Sequence, residues 1–204
     1  MIAVIDYGMG NLRSVAKAIE RIGGTAVVTS KNKDILKSKK IILPGVGAFK
    51  AGMSSLRRLG LVEVIKQQIA AGVPCLGICL GYQLLFEMSS EDGKNKGLGI
   101  IKGDVKPLQS KGKCIRIPHM GWNTIEIIKR GFLFKGIPNK VHLYFVHSYY
   151  CDPTDDALIT SWVKYGLQFA ASIQKDNVFG IQFHPEKSSS KGMEILKNFV
   201  SINY

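Results

Sequence analysis

Residues 73–83 read Val73-Pro74-Cys75-Leu76-Gly77-Ile78-Cys79-Leu80-Gly81-Tyr82-Gln83. The run 73–78 is continuously apolar, as expected of a strand buried on both faces, and such strands belong to parallel sheets with helices above and below. The strand ends at Cys79, and a helix over about 80–88 is expected to begin at once. Glycines stand two residues either side of the cysteine. A chain that turns this sharply can hold its pivot residue in a strained conformation, and only glycine fits the crowded neighbours. The free N–H groups and dipole of the following helix would favour a thiolate. The N–H of Leu80 would be placed to meet an oxyanion. The competing reading is a buried structural cysteine whose glycines only allow close packing.

Outward from this stretch, the first hundred residues alternate strand and helix patterns. Residues 1–6 read as a strand. A helix follows with Leu12, Val15, Ala16, Ile19 and Ile22 at helical spacing and Gly23-Gly24 as its stop. Strands are expected at 25–29 and 41–43, and a helix around 61–71 carries Leu61, Ile65 and Ile69. The second half changes character. Runs at 98–105, 113–117, 124–128, 141–147, 157–163, 167–173 and 178–183 are β-like and closely spaced, which suggests antiparallel strands and hairpins. A last helix over about 188–201 presents Met193, Ile195, Leu196, Phe199 and Val200. With no linker, repeat or low-complexity stretch, the economical reading is one domain with a mixed sheet.

Bulk properties narrow the function classes. A chain of 204 residues, 46% hydrophobic and 21% charged, is too apolar for disorder and long enough to bury a core without disulfides. Its longest apolar run falls far short of the ~20 residues that span a membrane, and its start reads as a strand rather than a signal peptide. The net charge of +13 admits a nucleic-acid surface. However, the densest cluster, Lys31, Lys33, Lys37, Lys39 and Lys40, is interrupted by Asp34 and has no aromatic for a base to stack on. A lysine-rich solvated surface is the plainer reading. Cys75, Cys79, Cys114 and Cys151 form no Cys-x-x-Cys pair, so a zinc site is not expected and a reduced, cytoplasmic compartment is.

Two more motifs give Cys79 company. The strand Phe179-Gly180-Ile181-Gln182-Phe183 leads into His184-Pro185-Glu186. If the segment stays extended, residues two apart project to one side, and Glu186 lies beside the His184 ring. Nucleophile, acid–base and orienter would then form a triad. A lone histidine with a structural role is the alternative. Pro44-Gly45-Val46-Gly47-Ala48-Phe49 follows a strand and could present backbone N–H groups to an anion. It matches neither the dinucleotide-binding nor the Walker pattern.

Together, the elbow GICLGYQLLF (77–86), the PGVG loop (44–47) and QFHPEKS (182–188) resemble the class I, triad-type glutamine amidotransferase family in order and spacing. The likeness covers essentially the whole chain. Within the family, Asp6-Tyr7-Gly8-Met9-Gly10-Asn11-Leu12, Pro118-His119-Met120-Gly121-Trp122-Asn123 and Tyr144-Phe145-Val146-His147-Ser148-Tyr149 resemble the glutaminase subunits of imidazole glycerol phosphate synthases. The resemblance implies one amidotransferase domain over 1–204 with a flavodoxin-like α/β fold. Its central sheet would be mostly parallel, with helices on both faces and an antiparallel β extension in the second half. It implies hydrolysis of the glutamine amide by Cys79, His184 and Glu186, with no cofactor or metal. The Leu80 N–H and one from the loop, that of Val46, would hold the oxyanion. Gly45, Val46, Gly47, Leu80, Gln83, Ser148 and Tyr149 match positions that line the glutamine site. Ammonia would pass to a (β/α)8-barrel cyclase partner, met by Asn11, Trp122, Tyr144 and Lys187. For Trp122 and Tyr144 the other reading is core packing, and for Lys187 a solvated charge. Because the acceptor site lies in the partner, two other readings stay open. One is a paralogue feeding ammonia to a sugar amidotransferase of surface-polysaccharide synthesis, with which Tyr82 and the segment 160–166 containing Trp162 would agree. The other is a freestanding cysteine hydrolase.

Overall fold

The computed structural model describes residues 1–109 and 115–202. The chain opens with β1 (Ile2–Ile5), α1 (Leu12–Arg21), β2 (Ala26–Thr29), α2 (Asn32–Leu36) and β3 (Lys40–Leu43). It continues with α3 (Phe49–Arg58), α4 (Leu61–Ala70), β4 (Cys75–Ile78), α5 (Leu80–Leu84), β5 (Phe86–Ser89), β6 (Asn95–Lys96) and β7 (Ile101–Pro107). The second half holds β8 (His119–Ile127), β9 (His142–His147), β10 (Tyr149–Pro153), β11 (Ile159–Tyr165), β12 (Leu167–Lys175), β13 (Val178–Ile181) and α6 (Ser189–Val200).

Among the described residues, the main sheet runs β2-β1-β3-β4-β13-β12-β11-β8-β9. From β2 to β13 every pair is parallel, and from β13 to β9 every pair is antiparallel. The parallel half has the doubly wound order in which ligands bind beyond the carboxyl ends of the strands. Its inner strands β1, β3, β4 and β13 are buried on both faces by alternation. Ile2, Val4, Ile42, Leu76 and Ile78 enter one core, while Ala3, Ile5, Ile41, Leu43 and Cys75 enter the other. The expected α/β fold with its antiparallel extension is therefore present.

Several local expectations are corrected. Among the described residues a second sheet, β10-β7-β5-β6, stands beside the first and had no separate signal in the sequence. The helix expected over 80–88 stops at Leu84, because the carbonyls that would extend it are taken from outside. Leu98 donates its N–H to Leu84 O at 2.9 Å, and Ile100 and Ile101 donate to Leu85 O at 2.9 and 3.0 Å. Helices α2 and α3 were not signalled in the sequence. In α3, Phe49, Met53 and Leu56 are buried at helical spacing behind the glycine loop. In α1 the buried small residue is Ala18 rather than Ala16. Of the run expected at 113–117, residues 113 and 114, with Cys114, lie outside the described residues, and 115–117 form no strand.

Candidate active site

Cys79 is the pivot between β4 and α5, with φ 53° and ψ −110°, a backbone conformation that side-chain-bearing residues rarely adopt. The glycines around it are required by contact. A Cβ on Gly81 would lie 1.7 Å from Leu43 O, and one on Gly77 would lie 2.8 Å from Gly81 O and the Tyr82 backbone. The N–H of Cys79 donates to Ile181 O at 2.8 Å, so β13 holds the pivot from the other side. The Sγ atom lies 3.7 Å from Val146 O, to which the thiol donates, and 3.9 Å from Gln182 Nε2.

His184 follows β13 and is held at both ends of its backbone. Its N–H donates to Tyr144 O at 2.9 Å, and its carbonyl accepts from Ser188 Oγ at 2.6 Å. Glu186 does not lie in an extended segment as expected. Pro185–Lys187 forms a single 3-10 turn, and that turn swings the carboxylate back onto the ring. Glu186 Oε1 accepts from His184 Nδ1 at 2.8 Å, with the two side chains only 3% and 2% exposed. Nε2, the ring's other nitrogen, is buried with no hydrogen-bond partner, which leaves it free for acid–base exchange. Burial disfavours the charged ring, but coupling to Cys79 on one side and Glu186 on the other outweighs it and lifts the imidazole to about 10. The balance favours the charged ring at neutral pH.

A cleft of about 480 Å³ opens over the sulfur. Of the residues expected to bind substrate, Val46, Gly47, Leu80, Gln83, Ser148 and Tyr149 line it together with Cys79. Gly45 lies just behind. Its Cα is packed so closely that a Cβ would come within 2.2 Å of Tyr7 Oη, and that hydroxyl is itself bonded to Pro44 O at 2.7 Å. The Leu80 N–H donates to Gly45 O across a long 3.4 Å bond. In this conformation a carbonyl occupies the place where an oxyanion would sit. Rotating the Gly45–Val46 peptide would replace that carbonyl with the Val46 N–H. Gln83 Nε2 is engaged by Tyr149 O at 2.9 Å and Gln182 Oε1 at 3.3 Å, so Oε1 is the group that Gln83 can offer the cleft.

Glu91 was missed in the sequence. It lines the cleft and accepts the Phe49 N–H at 2.7 Å. Burial raises its pKa, the Phe49 bond lowers it and Asp92 raises it again. Its setting, Ser89-Ser90-Glu91-Asp92-Gly93, looks like any solvated turn, and only the fold turns it inward. Pro118 and Val146 also line the cleft unannounced.

The four positions expected to meet a partner divide. Trp122 is 51% exposed and Met120, on the same face of β8, is 63% exposed, so Trp122 is not core packing. The Trp122 ring stands edge-on to Tyr144 at 6.2 Å, and Lys187 Nζ lies 5.8 Å over the Tyr144 ring, at the rim of the cleft. Asn11 caps α1, its Oδ1 accepting the Ser14 N–H at 3.3 Å, and is exposed.

The family model of glutamine amidotransferase class-I matches residues 3–202. The imidazole glycerol phosphate synthase subunit HisH of Moorella thermoacetica is 52% identical over 97% of this chain and 93% of its own. HisH of Synechocystis is 50% identical over 98% and 95%, and HisH 1 of Campylobacter jejuni is 47% identical over 99% and 100%. Among solved structures, one described as a glutamine amidotransferase superposes with a TM-score of 0.77 at 16% identity, covering 99% of this chain and 100% of its own. PurLQS of Thermotoga maritima gives 0.74 at 18%, covering 97% and 96%. These two speak to the fold alone.

Proposed function

This chain belongs to the class-I glutamine amidotransferase family, and from that premise we propose that it is the glutaminase subunit of an imidazole glycerol phosphate synthase. The observation that carries the reading is the buried His184–Glu186 pair, joined at 2.8 Å beside a cysteine on a strained elbow at the floor of a substrate-sized cleft. The near-full-length likeness to HisH subunits supports the pathway.

The chemistry follows from the geometry. The Cys79 sulfur, as thiolate, attacks the side-chain amide carbon of glutamine. The oxyanion is received by the Leu80 N–H and, after the Gly45–Val46 peptide turns, by the Val46 N–H. His184, charged at neutral pH, gives its Nε2 proton to the departing ammonia and then takes one from the water that attacks the thioester. Glu186 keeps the ring in register and balances its charge. The Glu91 carboxylate suits the substrate's α-ammonium, and Gln83 Oε1 accepts from its donors. Glutamate and ammonia are the products, and no cofactor is needed. Ammonia passes to a (β/α)8-barrel cyclase docked on the exposed Met120 and Trp122 face and the Lys187–Tyr144 rim. The free thiols of Cys75, Cys79 and Cys151 suit a reducing cytoplasm.

The two departures that would have favoured a sugar-pathway paralogue have structural explanations. The Tyr82 ring is fully buried and fills the space over Gly180, and Trp162 packs against a core away from the cleft. The test is glutamate release from glutamine by this chain with a histidine-pathway cyclase of the same source, with and without the cyclase's nucleotide substrate. Stimulation by both together is expected. A folded chain that a competent cyclase fails to stimulate would redirect the assignment to another acceptor enzyme.

A further inference from the structure

Two buried histidines outside the triad make a hydrogen-bonded chain whose direction the structure settles. His119 and His147 face each other across β8 and β9, with His119 Nδ1 2.8 Å from His147 Nε2. His147 Nδ1 lies 2.8 Å from Tyr149 O. A carbonyl only accepts, so His147 carries its proton on Nδ1 and presents a bare Nε2. His119 must then donate from Nδ1, and its own Nε2 accepts from Asn123 Nδ2 at 3.1 Å. The Asn123 amide is oriented in turn, because its Oδ1 accepts the Thr124 N–H at 2.7 Å and its Nδ2 also donates to Lys164 O at 3.1 Å. Each proton in the series has one place.

The chain ends on the wall of the cleft. Residues 146–149 all line it. Tyr149 O takes both the His147 proton and the Gln83 amide, while Val146 O receives the Cys79 thiol. The series begins at Asn123, beside the exposed Trp122. His119 is 2% exposed and lies between the faces of Tyr165 and Phe145, with ring centroids at 4.1 and 4.7 Å. Burial holds both rings neutral, with His119 down to about 4 and His147 to about 3, the latter lowered further by His119 and His184 and raised by the Tyr149 bond.

We propose that His119 and His147 are positioning residues for glutamine hydrolysis: a one-directional relay from Asn123 to Tyr149 O that fixes the 146–149 wall against which the substrate is held. The proposal rests on the glutaminase reading of the cleft. Glutamate release by the chain in complex with its cyclase tests it. His119→Ala should raise KM for glutamine about tenfold, with kcat changed less than about threefold. His119→Asn, which keeps a donor near the Nδ1 position, should recover most of that loss. A fall in kcat at unchanged KM, or an asparagine variant no better than alanine, would overturn it, since a merely structural histidine lowers the amount of active enzyme. A second readout needs neither glutamine nor partner. Imidazole nitrogen NMR of the chain at about pH 6 should find both rings neutral and protonated on Nδ1. An Nε2-protonated His147, or a charged ring, would sink the relay. If the wild-type complex releases no glutamate, the glutaminase reading fails and the substrate named here fails with it, and the tautomers distinguish that failure from failure of the relay.

Discussion

Cys79 sits at a backbone conformation that costs on the order of 1–3 kcal/mol, and the strain persists because Leu43, Ile181 and the flanking glycines leave no alternative. Cys79→Ala should leave the melting temperature nearly unchanged and cut glutamate release by ~10⁴-fold or more, measured on the stimulated complex. Glu186→Gln keeps the shape but not the charge. It should cost about 10²–10⁴ in kcat and bring His184 down from about 10. The sign of the linked stability follows. A folded pKa above the unfolded 6.5 stabilises fully below pH 6.5, and that contribution is lost as pH rises through about 10. Urea midpoints between pH 6.5 and about 10 should therefore decline in the wild type and decline less in Glu186→Gln, where the coupling to Cys79 remains. The motifs that carry Cys79, His184 and Glu186, the proposed triad, were legible in the sequence because cysteine between glycines and His-Pro-Glu after a strand are short, ordered signals. Glu91 was not, because a carboxylate in a polar turn looks the same whether it faces solvent or a cleft.

At the scale of elements, the elbow works because β3, β4 and β13 approach α5 more closely than side chains permit. Gly180 shows the same constraint from the far side. A Cβ there would come within 2.1 Å of the Tyr82 ring. Gly180→Ala should destabilise the fold by about 1–3 kcal/mol, the usual cost of overpacking. Tyr82→Leu in the same chain should return part of that loss, as a double-mutant cycle in urea would show. Equal losses in the single and double variants would mean that the ring is not what glycine accommodates. The early end of α5 belongs to this scale too. Nothing in Leu84-Leu85-Phe86 stops a helix, and the stop is imposed by N–H groups from Leu98, Ile100 and Ile101.

Across the whole molecule, the carboxyl ends of β3, β4 and β13 converge on one edge, and the antiparallel half contributes β8 and β9 to the same rim. Trp122, exposed at that rim, is expected to anchor the cyclase. Trp122→Ala should weaken the complex by about 2 kcal/mol or more, roughly 30-fold in Kd by titration calorimetry, with little change in the chain's own stability. The buried histidine pair gives the molecule an acid limit. Folded values near 4 and 3 lie below the unfolded 6.5, so this stabilisation is fully present above pH 6.5 and is lost as pH falls through the folded values. Urea midpoints should drop already between pH 6.5 and about 5, before ordinary carboxylates titrate. A flat curve there would contradict the burial of neutral rings.

What the sequence determined by itself was local and periodic. It marked the apolar strands of the parallel half, the hairpin-rich second half, the elbow, and the residues proposed as nucleophile, base and orienter. These are legible because strand burial, sharp turns and acid–base chemistry each demand particular residues at short spacing. Only the tertiary structure decided the second sheet, the length of α5, the inward turn of Glu91, the carbonyl of Gly45 facing the Leu80 N–H, and the relay through His119 and His147. Each of these depends on groups far apart in the chain meeting at hydrogen-bond distance, and neither composition nor periodicity records such meetings.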